Sequence, residues 1–254
     1  MSFSDVLLVA AFLFFIGSLL GWCIEVVFRR LFTAKKWINP GFLTGPYLPL
    51  YGFGVAGLFA ISLIRINTGR YWLDSLLVIL IMGNCMTLIE YIAGLIFIKG
   101  LKVKLWDYSD RKANIQGIIC PLFSFFWMLV SAFFYFVVSP YCIEAVTWFV
   151  NHKAFAFFVG LFFGVLLVDF GHSVNLTVKI REFALKHDIT VHFEELKSSI
   201  KRKLERKGKK ANFVFPFRSD ENITDELKYM VGEPVEIKDG DDEKTNNFNE
   251  DILS

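Results

Sequence analysis

Of the 254 residues, 54% are hydrophobic before any glycine is counted, 29 are phenylalanine, and the mean hydropathy is +0.47. A soluble domain reaches roughly 45–50% apolar with glycine included, so an ordinary water-soluble enzyme and a largely disordered chain are both excluded. The net charge of +2 conceals a split tail: residues 179–210 hold eleven Lys/Arg against five Asp/Glu, and residues 219–254 hold twelve Asp/Glu against three Lys.

A bilayer core is crossed by about 20 apolar residues of helix. The first stretch of that kind runs from Val6 to Phe28, interrupted by Ser18 and Glu25. Ser18, Gly21 and Glu25 share one helical face. Gly17 and Gly21 have the GxxxG spacing that lets helices approach closely. Glu25 stands four residues before Arg29 and can pair with it or serve function. A basic loop with Trp37 follows, then the run Asn39-Pro40-Gly41-Phe42-Leu43-Thr44-Gly45-Pro46-Tyr47-Leu48-Pro49-Leu50-Tyr51-Gly52-Phe53-Gly54. Gly41, Gly45, Pro46 and Pro49 break helix, yet Phe42, Leu43, Tyr47 and Leu50 are apolar. Three readings stay open: an interfacial anchor with Trp37, Tyr47 and Tyr51 as an aromatic belt, a segment dipping inward against protein, or a docking surface for a cytoplasmic partner. The second span is expected over about Tyr47 to Ile66.

The third span is expected over about Ser75 to Ile98, with Gly83, Thr87, Glu90 and Gly94 on one face. Glu90 lies nine residues before Lys99, about 13 Å from that end. The next loop holds Trp106-Asp107-Tyr108-Ser109 and Asn114-Ile115-Gln116-Gly117. The fourth span, about Ile118 to Val138, opens near Pro121. The fifth, about Ala154 to Val178, carries a second GxxxG pair at Gly160 and Gly164, and Asp169 on a face with His172 and Ser173. A charge in lipid costs about 2.5–3.5 kcal/mol on insertion scales. Glu90 and Asp169 must therefore face the bundle, be protonated, or pair. His172 is a candidate donor to Asp169. Glu25, Glu90, Asp169 and His172 form the candidate intramembrane polar site, whose role is to hold helices together, to carry protons or substrate, or to bind metal. The four cysteines form no CxxC or Cys/His cluster, so neither a metal nor a cofactor is assigned.

Punctuation recurs along the chain. Glu25, Trp37, Asn39-Pro40-Gly41 and the prolines Pro46 and Pro49 are followed by Glu90, Trp106, Asn114 to Gly117, and Pro121. Units two spans long keep the same orientation, so this pattern predicts a parallel two-span repeat. Gly21-Trp22, Glu25 and the run from Asn39 to Gly54 resemble the signature of the bacterial "putative ABC-transporter type IV" membrane-protein family. Glu90-Tyr91, Trp106-Asp107-Tyr108-Ser109 and Asn114 to Gly117 resemble its second block. The resemblance covers about residues 15–175 and implies a polytopic, permease-like membrane domain. Its candidate loop motif comprises Asn39, Gly41, Gly45, Pro46, Pro49, Tyr51, Gly52, Trp106, Asp107, Asn114 and Gly117. Pro40 departs from the family pattern, which usually has arginine before the loop glycine.

The sequence thus predicts an all-α bundle of five transmembrane helices over residues 1–178. Lys/Arg counts in successive segments outside the spans run 0, 4, 2, 5, 1 and 15. Positive charge stays inside, so the N-terminus is expected outside the cell membrane and the C-terminus in the cytoplasm. Residues 179–210 are expected to form a basic amphipathic juxtamembrane helix. Ile189, Phe193, Leu196, Ile200 and Leu204 supply its apolar face, and Lys197, Lys201, Arg202, Lys203, Arg206 and Lys207 its charge. Residues 211–254 are expected to be an acidic disordered tail. Nucleic acid is not an expected partner, because the basic segment directly follows a span. No Gly-x4-Gly-Lys-Ser/Thr occurs. The expected role is a permease-like transport component, not an enzyme, working in the lipid bilayer with a separate ATPase subunit or as a homo-oligomer. The alternative is a non-transporting scaffold or assembly factor acting through its cytoplasmic loops and tail.

Overall fold

The computed structural model describes residues 2–33, 37, 39–187, 189–193, 196, 197, 199 and 227. The chain divides into two units, 1–216 and 217–254, and the elements below lie in the first.

Helix α1 spans Phe3–Phe28 and widens into a π-helical turn at Arg29–Thr33. At its start the Ser2 N–H donates to Asp5 Oδ2 (3.3 Å), satisfying one group that a helix end leaves open. Helix α2 is Pro49–Ser62. Helix α3, Tyr71–Leu95, ends in a second π-helical turn at Ile96–Gly100 and leads into β1, Val103–Lys104. Helix α4, Pro121–Phe133, passes through a π-helical turn at Phe134–Val138 into α5, Ser139–Asn151. The wide turn lies where Pro140, in the first turn of α5, has no N–H to give. Helix α6 is Ala156–Lys186, and β2, Val191–His192, pairs parallel with β1.

The fold is mostly helical, and among the described residues four helical stretches are long and apolar enough to cross a membrane: Phe3–Leu31, Tyr71–Gly100, Pro121–Asn151 and Lys153–Lys186. The second expected span does not form as one long helix. Only its 14 residues from Pro49 to Ser62 are helical, about 21 Å of rise. Proline pushes the residue before it out of the helical region, and Leu48 is extended at φ −123°, ψ 102°. Two further boundaries differ from expectation. The fourth span continues past Val138 to Asn151, and α6 runs past Val178 to Lys186. Beyond it, residues 191–192 are a strand rather than helix, and most of 194–210 lies outside the described residues.

Helices α1 and α2 meet at glycines. A Cβ at Gly17 or Gly21 would collide with Val55 or Tyr51, and one at Gly52 with Ser18 and Phe14. Gly83 and Gly94 of α3 meet Met128 and Ile118 in the same way. Gly160 and Gly164 behave otherwise: nothing lies within 4 Å of a Cβ placed there, so the second GxxxG pair makes no close approach among the described residues. One buried apolar cluster joins α1, α2, α3, α5 and the turn before α5 through Leu13, Leu58, Met82, Phe134 and Val146. Another joins α1, the segment before α2, and α6 through Phe14, Leu43, Tyr47, Phe162 and Leu166. Lys153 Nζ bonds Asp5 Oδ1 at 2.7 Å, so α1 and α6 start at the same end of the bundle. The two hairpins share their grammar: α1 and α3 each end in a π-helical turn, and α2 and α4 each begin at a proline.

Candidate functional site

Each of the three acids sits in its own set of donors. On α1, Glu25 Oε1 accepts from Arg29 Nε (2.7 Å) and Oε2 from Tyr51 Oη (2.6 Å). The i,i+4 spacing aligns the ion pair, and Gly21 lets Tyr51 come close enough to reach. On α3, Glu90 is buried on the predicted seam and accepts from Tyr108 Oη (3.1 Å) and Trp127 Nε1 (2.8 Å). Both donors are neutral.

On α6, Asp169 is caged by the segment before α2, more than 120 residues away in sequence. The Thr44 N–H (3.1 Å), the Gly45 N–H (2.9 Å) and Tyr47 Oη (2.6 Å) donate to Oδ2. The Thr44 hydroxyl and Ser173 Oγ (3.3 Å) donate to Oδ1. A carboxylate accepting this many bonds needs no counter-ion to be satisfied. His172 is exposed and donates nothing to Asp169; the partner lies instead in the 44–47 stretch. Glu25, Glu90 and Asp169 thus occupy separate cages. Among the described residues no three His, Cys, Asp or Glu side chains gather to hold a metal.

The 39–48 segment enters the protein. Asn39, Leu43, Thr44, Tyr47 and Leu48 are buried, and the Leu48 N–H donates to the Ser18 carbonyl (3.0 Å). Of the three readings of this loop, this burial against protein is what the inward dip requires. Tyr47 and Tyr51 bind acids instead of forming a belt, while Trp37 is exposed under the Arg30 guanidinium. Asn39 organises the turn: its Oδ1 accepts from Trp22 Nε1 (2.6 Å), and its Nδ2 donates to the Thr44 carbonyl (2.9 Å). Gly41 has φ +78°, a conformation that favours glycine. Pro46 is exposed, Pro49 opens α2, and Gly52 allows the α1 contact.

The second motif block is a set of staples that carries Tyr108 to Glu90. Trp106 Nε1 donates to the Ile118 carbonyl (2.9 Å) and the Tyr108 N–H to the Gly117 carbonyl (2.8 Å). Asn114 Nδ2 donates to the Arg111 carbonyl (2.8 Å), and its Oδ1 accepts from the Gly117 N–H (2.9 Å). Asp107 accepts from Lys104 Nζ (2.8 Å) and from the Ser109 N–H (3.0 Å) and hydroxyl. Partial burial opposes its charge, but these bonds outweigh it and hold the carboxyl down at about 2. Burial, and then the charge of Glu90, push the Tyr108 phenol well above its usual range.

Lys197 was expected on a charged helix face, yet it is buried. Its Nζ donates to the carbonyls of Asn39 (3.1 Å) and Gly41 and stands 4.8 Å over the Phe193 ring. Burial, reinforced by the nearby Arg29 charge, pulls it down to about 7. A trace of this was in the sequence, since Lys197 follows Phe193 by four residues on the apolar stripe. Nothing in the linear sequence pairs Thr44 with Asp169, or Trp127 with Glu90.

The family model described as putative ABC-transporter type IV matches residues 12–174. The chain belongs to that family. The matched range contains all three acids and both stapled loops. No curated protein and no solved structure matches the chain. With four long apolar helices among its described residues, this member of the putative ABC-transporter type IV family is a membrane protein, and it fits a membrane transport component.

Proposed function

We propose that this chain is the permease-like membrane subunit of a transport system, energised by a separate ATPase. The observation that carries the reading is the buried, non-helical 39–48 segment caged on Asp169. Irregular backbone at membrane depth is tolerated only where protein buries it or where it lines a cavity, and broken helices of this kind build substrate sites in transporters. The chain encodes no phosphate-binding loop of its own, and a bundle this small needs a second copy or another subunit to enclose a path.

The accompanying topology is five crossings of the cell membrane, N-terminus outside and C-terminus cytoplasmic, with 39–48 and α2 together making the second. The common starting end of α1 and α6 supports it, because that arrangement needs an even number of crossings from the start of α1 to the start of α6. The shared grammar of the two hairpins supports a parallel two-span repeat. Reporter fusions after residues 37, 70, 110, 150 and 210 should read in, out, in, out, in.

One observation favours a second reading. The β1–β2 pair and the Lys197 contacts fasten the chain after α6 to both basic loops, as a scaffold working through one face would require. Affinity capture of the intact chain in detergent separates the two. A stoichiometric ATPase is expected. A stoichiometric envelope-synthesis or division protein with no ATPase would overturn the transport reading in favour of the scaffold.

A further inference from the structure

We propose that Lys197, Asn39, Thr44 and Asp169 form a relay coupling the chain after α6 to the acid cage within the bundle. Drawing off that segment then loosens the cage, and opening the cage frees the segment.

The links are consecutive. Lys197 is 5% exposed and its Nζ donates hydrogen bonds to the carbonyls of Asn39 and Gly41. Asn39, 3% exposed, passes the constraint on through Nδ2 to the Thr44 carbonyl (2.9 Å). Thr44, 6% exposed, places its N–H and hydroxyl on Asp169. Four side chains and one short turn therefore make up the relay.

In the proposed relay, the opening is at the outer end. Among the described residues, 189–193, 196 and 197 are held by a two-residue strand pair, by the Ile189 N–H on the Ala184 carbonyl (2.9 Å), by the Val191 N–H on the Lys102 carbonyl (3.1 Å), by the Lys197 bonds, and by the buried side chains of Val191, Phe193 and Leu196. A strand pair of only two residues is a contact that can open locally without global unfolding. On leaving, the Lys197 ammonium regains water, while the Asn39 and Gly41 carbonyls lose a charged donor. The turn, with Gly41 at φ +78°, then depends on the Asn39 side chain for its hold on Thr44. By linkage, whatever weakens the Thr44–Asp169 end must also weaken the Lys197 end. A partner that takes up residues 189–197 would thereby open the Asp169 cage. The relay holds whether or not the cage lies on a transport path.

The test uses the full-length chain in lipid nanodiscs and reads both directions. Lys197→Met should speed amide exchange at Thr44 and Gly45 by about fivefold or more, with α3 amides unchanged. Lys197→Arg, which keeps the cation, should retain their protection. Asp169→Asn should raise acylation of the Lys197 amine by a similar factor, with exposed Lys99 unchanged. If Asp169→Asn loosens the whole bundle, the control signals rise as well. Tyr47→Phe, which removes one donor from the cage, then takes its place and should give a smaller, selective rise at Lys197. Faster exchange confined to the Asn39 and Gly41 amides in Lys197→Met would overturn the relay. So would unchanged Lys197 labelling in a folded cage variant.

Discussion

Asp169→Leu takes away the acceptor for two backbone N–H groups, those of Thr44 and Gly45, and for the hydroxyls of Thr44, Tyr47 and Ser173. The hydroxyls can rotate toward other acceptors; the two N–H groups are fixed by the backbone. A buried donor left unsatisfied costs about 1–3 kcal/mol, so the pair should cost about 2–6 kcal/mol. That is a large fraction of the about 5–15 kcal/mol that holds a folded protein together. Asp169→Asn keeps one carbonyl oxygen and loses only part of the cage, so it should cost about 1–3 kcal/mol. Thermal unfolding of the purified chain in detergent should rank wild type above Asn and Asn above Leu. The Leu midpoint should fall by at least about 4 °C. A Leu variant as stable as wild type would mean that the cage holds nothing, and the inward-facing reading of α6 would be wrong.

Gly21→Ala should destabilise by about 1–3 kcal/mol because its Cβ collides with Tyr51, whereas Gly160→Ala, in open space, should stay within about 0.5 kcal/mol; equal midpoints for the two would refute the close-packed α1–α2 seam. Tyr108→Phe and Trp127→Phe each remove one donor from Glu90. Together they should cost more than the sum of the singles, because only the double variant leaves the buried carboxylate without either donor; simple additivity in unfolding midpoints would count against the shared acceptor. Asp107 titrates at about 2 in the folded chain against an ordinary value of 3.8. Its folded pKa is depressed, so its stabilisation is complete above about pH 4 and is lost as pH falls from about 4 to about 2. Unfolding midpoints of wild type and Asp107→Asn should converge over that window, and a constant difference would contradict it.

The long apolar runs made the membrane bundle legible, and helical spacing placed Ser18, Gly21, Glu25, Gly83, Glu90 and Gly94 on the packed faces where the structure has them. What the sequence left open was set by contacts distant along the chain. Hydropathy counted Tyr47 and Leu48 into a span because it weighs transfer to lipid. The Pro46, Pro49 and extended Leu48 geometry instead gives a short α2 preceded by a buried turn. His172 looked like the partner of Asp169 because it is near in sequence. The real donors are backbone N–H groups, which carry no residue-type signal. Lys197 was counted with the solvated lysines because charge usually marks a surface, and two loop carbonyls with the Phe193 ring offset its burial.

The 39–48 segment lies inside the bundle against α6, and cross-linking in native membranes tests this most directly. Cysteines at 42 and 170, whose native rings stand 6.0 Å apart and lie outside the Asp169 cage, in a chain otherwise free of cysteine, should be joined by a short bifunctional thiol reagent. Cysteines at 5 and 153, whose native side chains bond at 2.7 Å, serve as the control. A cross-linked 42–170 peptide comparable in yield to the 5–153 control is expected; efficient linkage of the control with none between 42 and 170 would contradict the buried placement of 39–48.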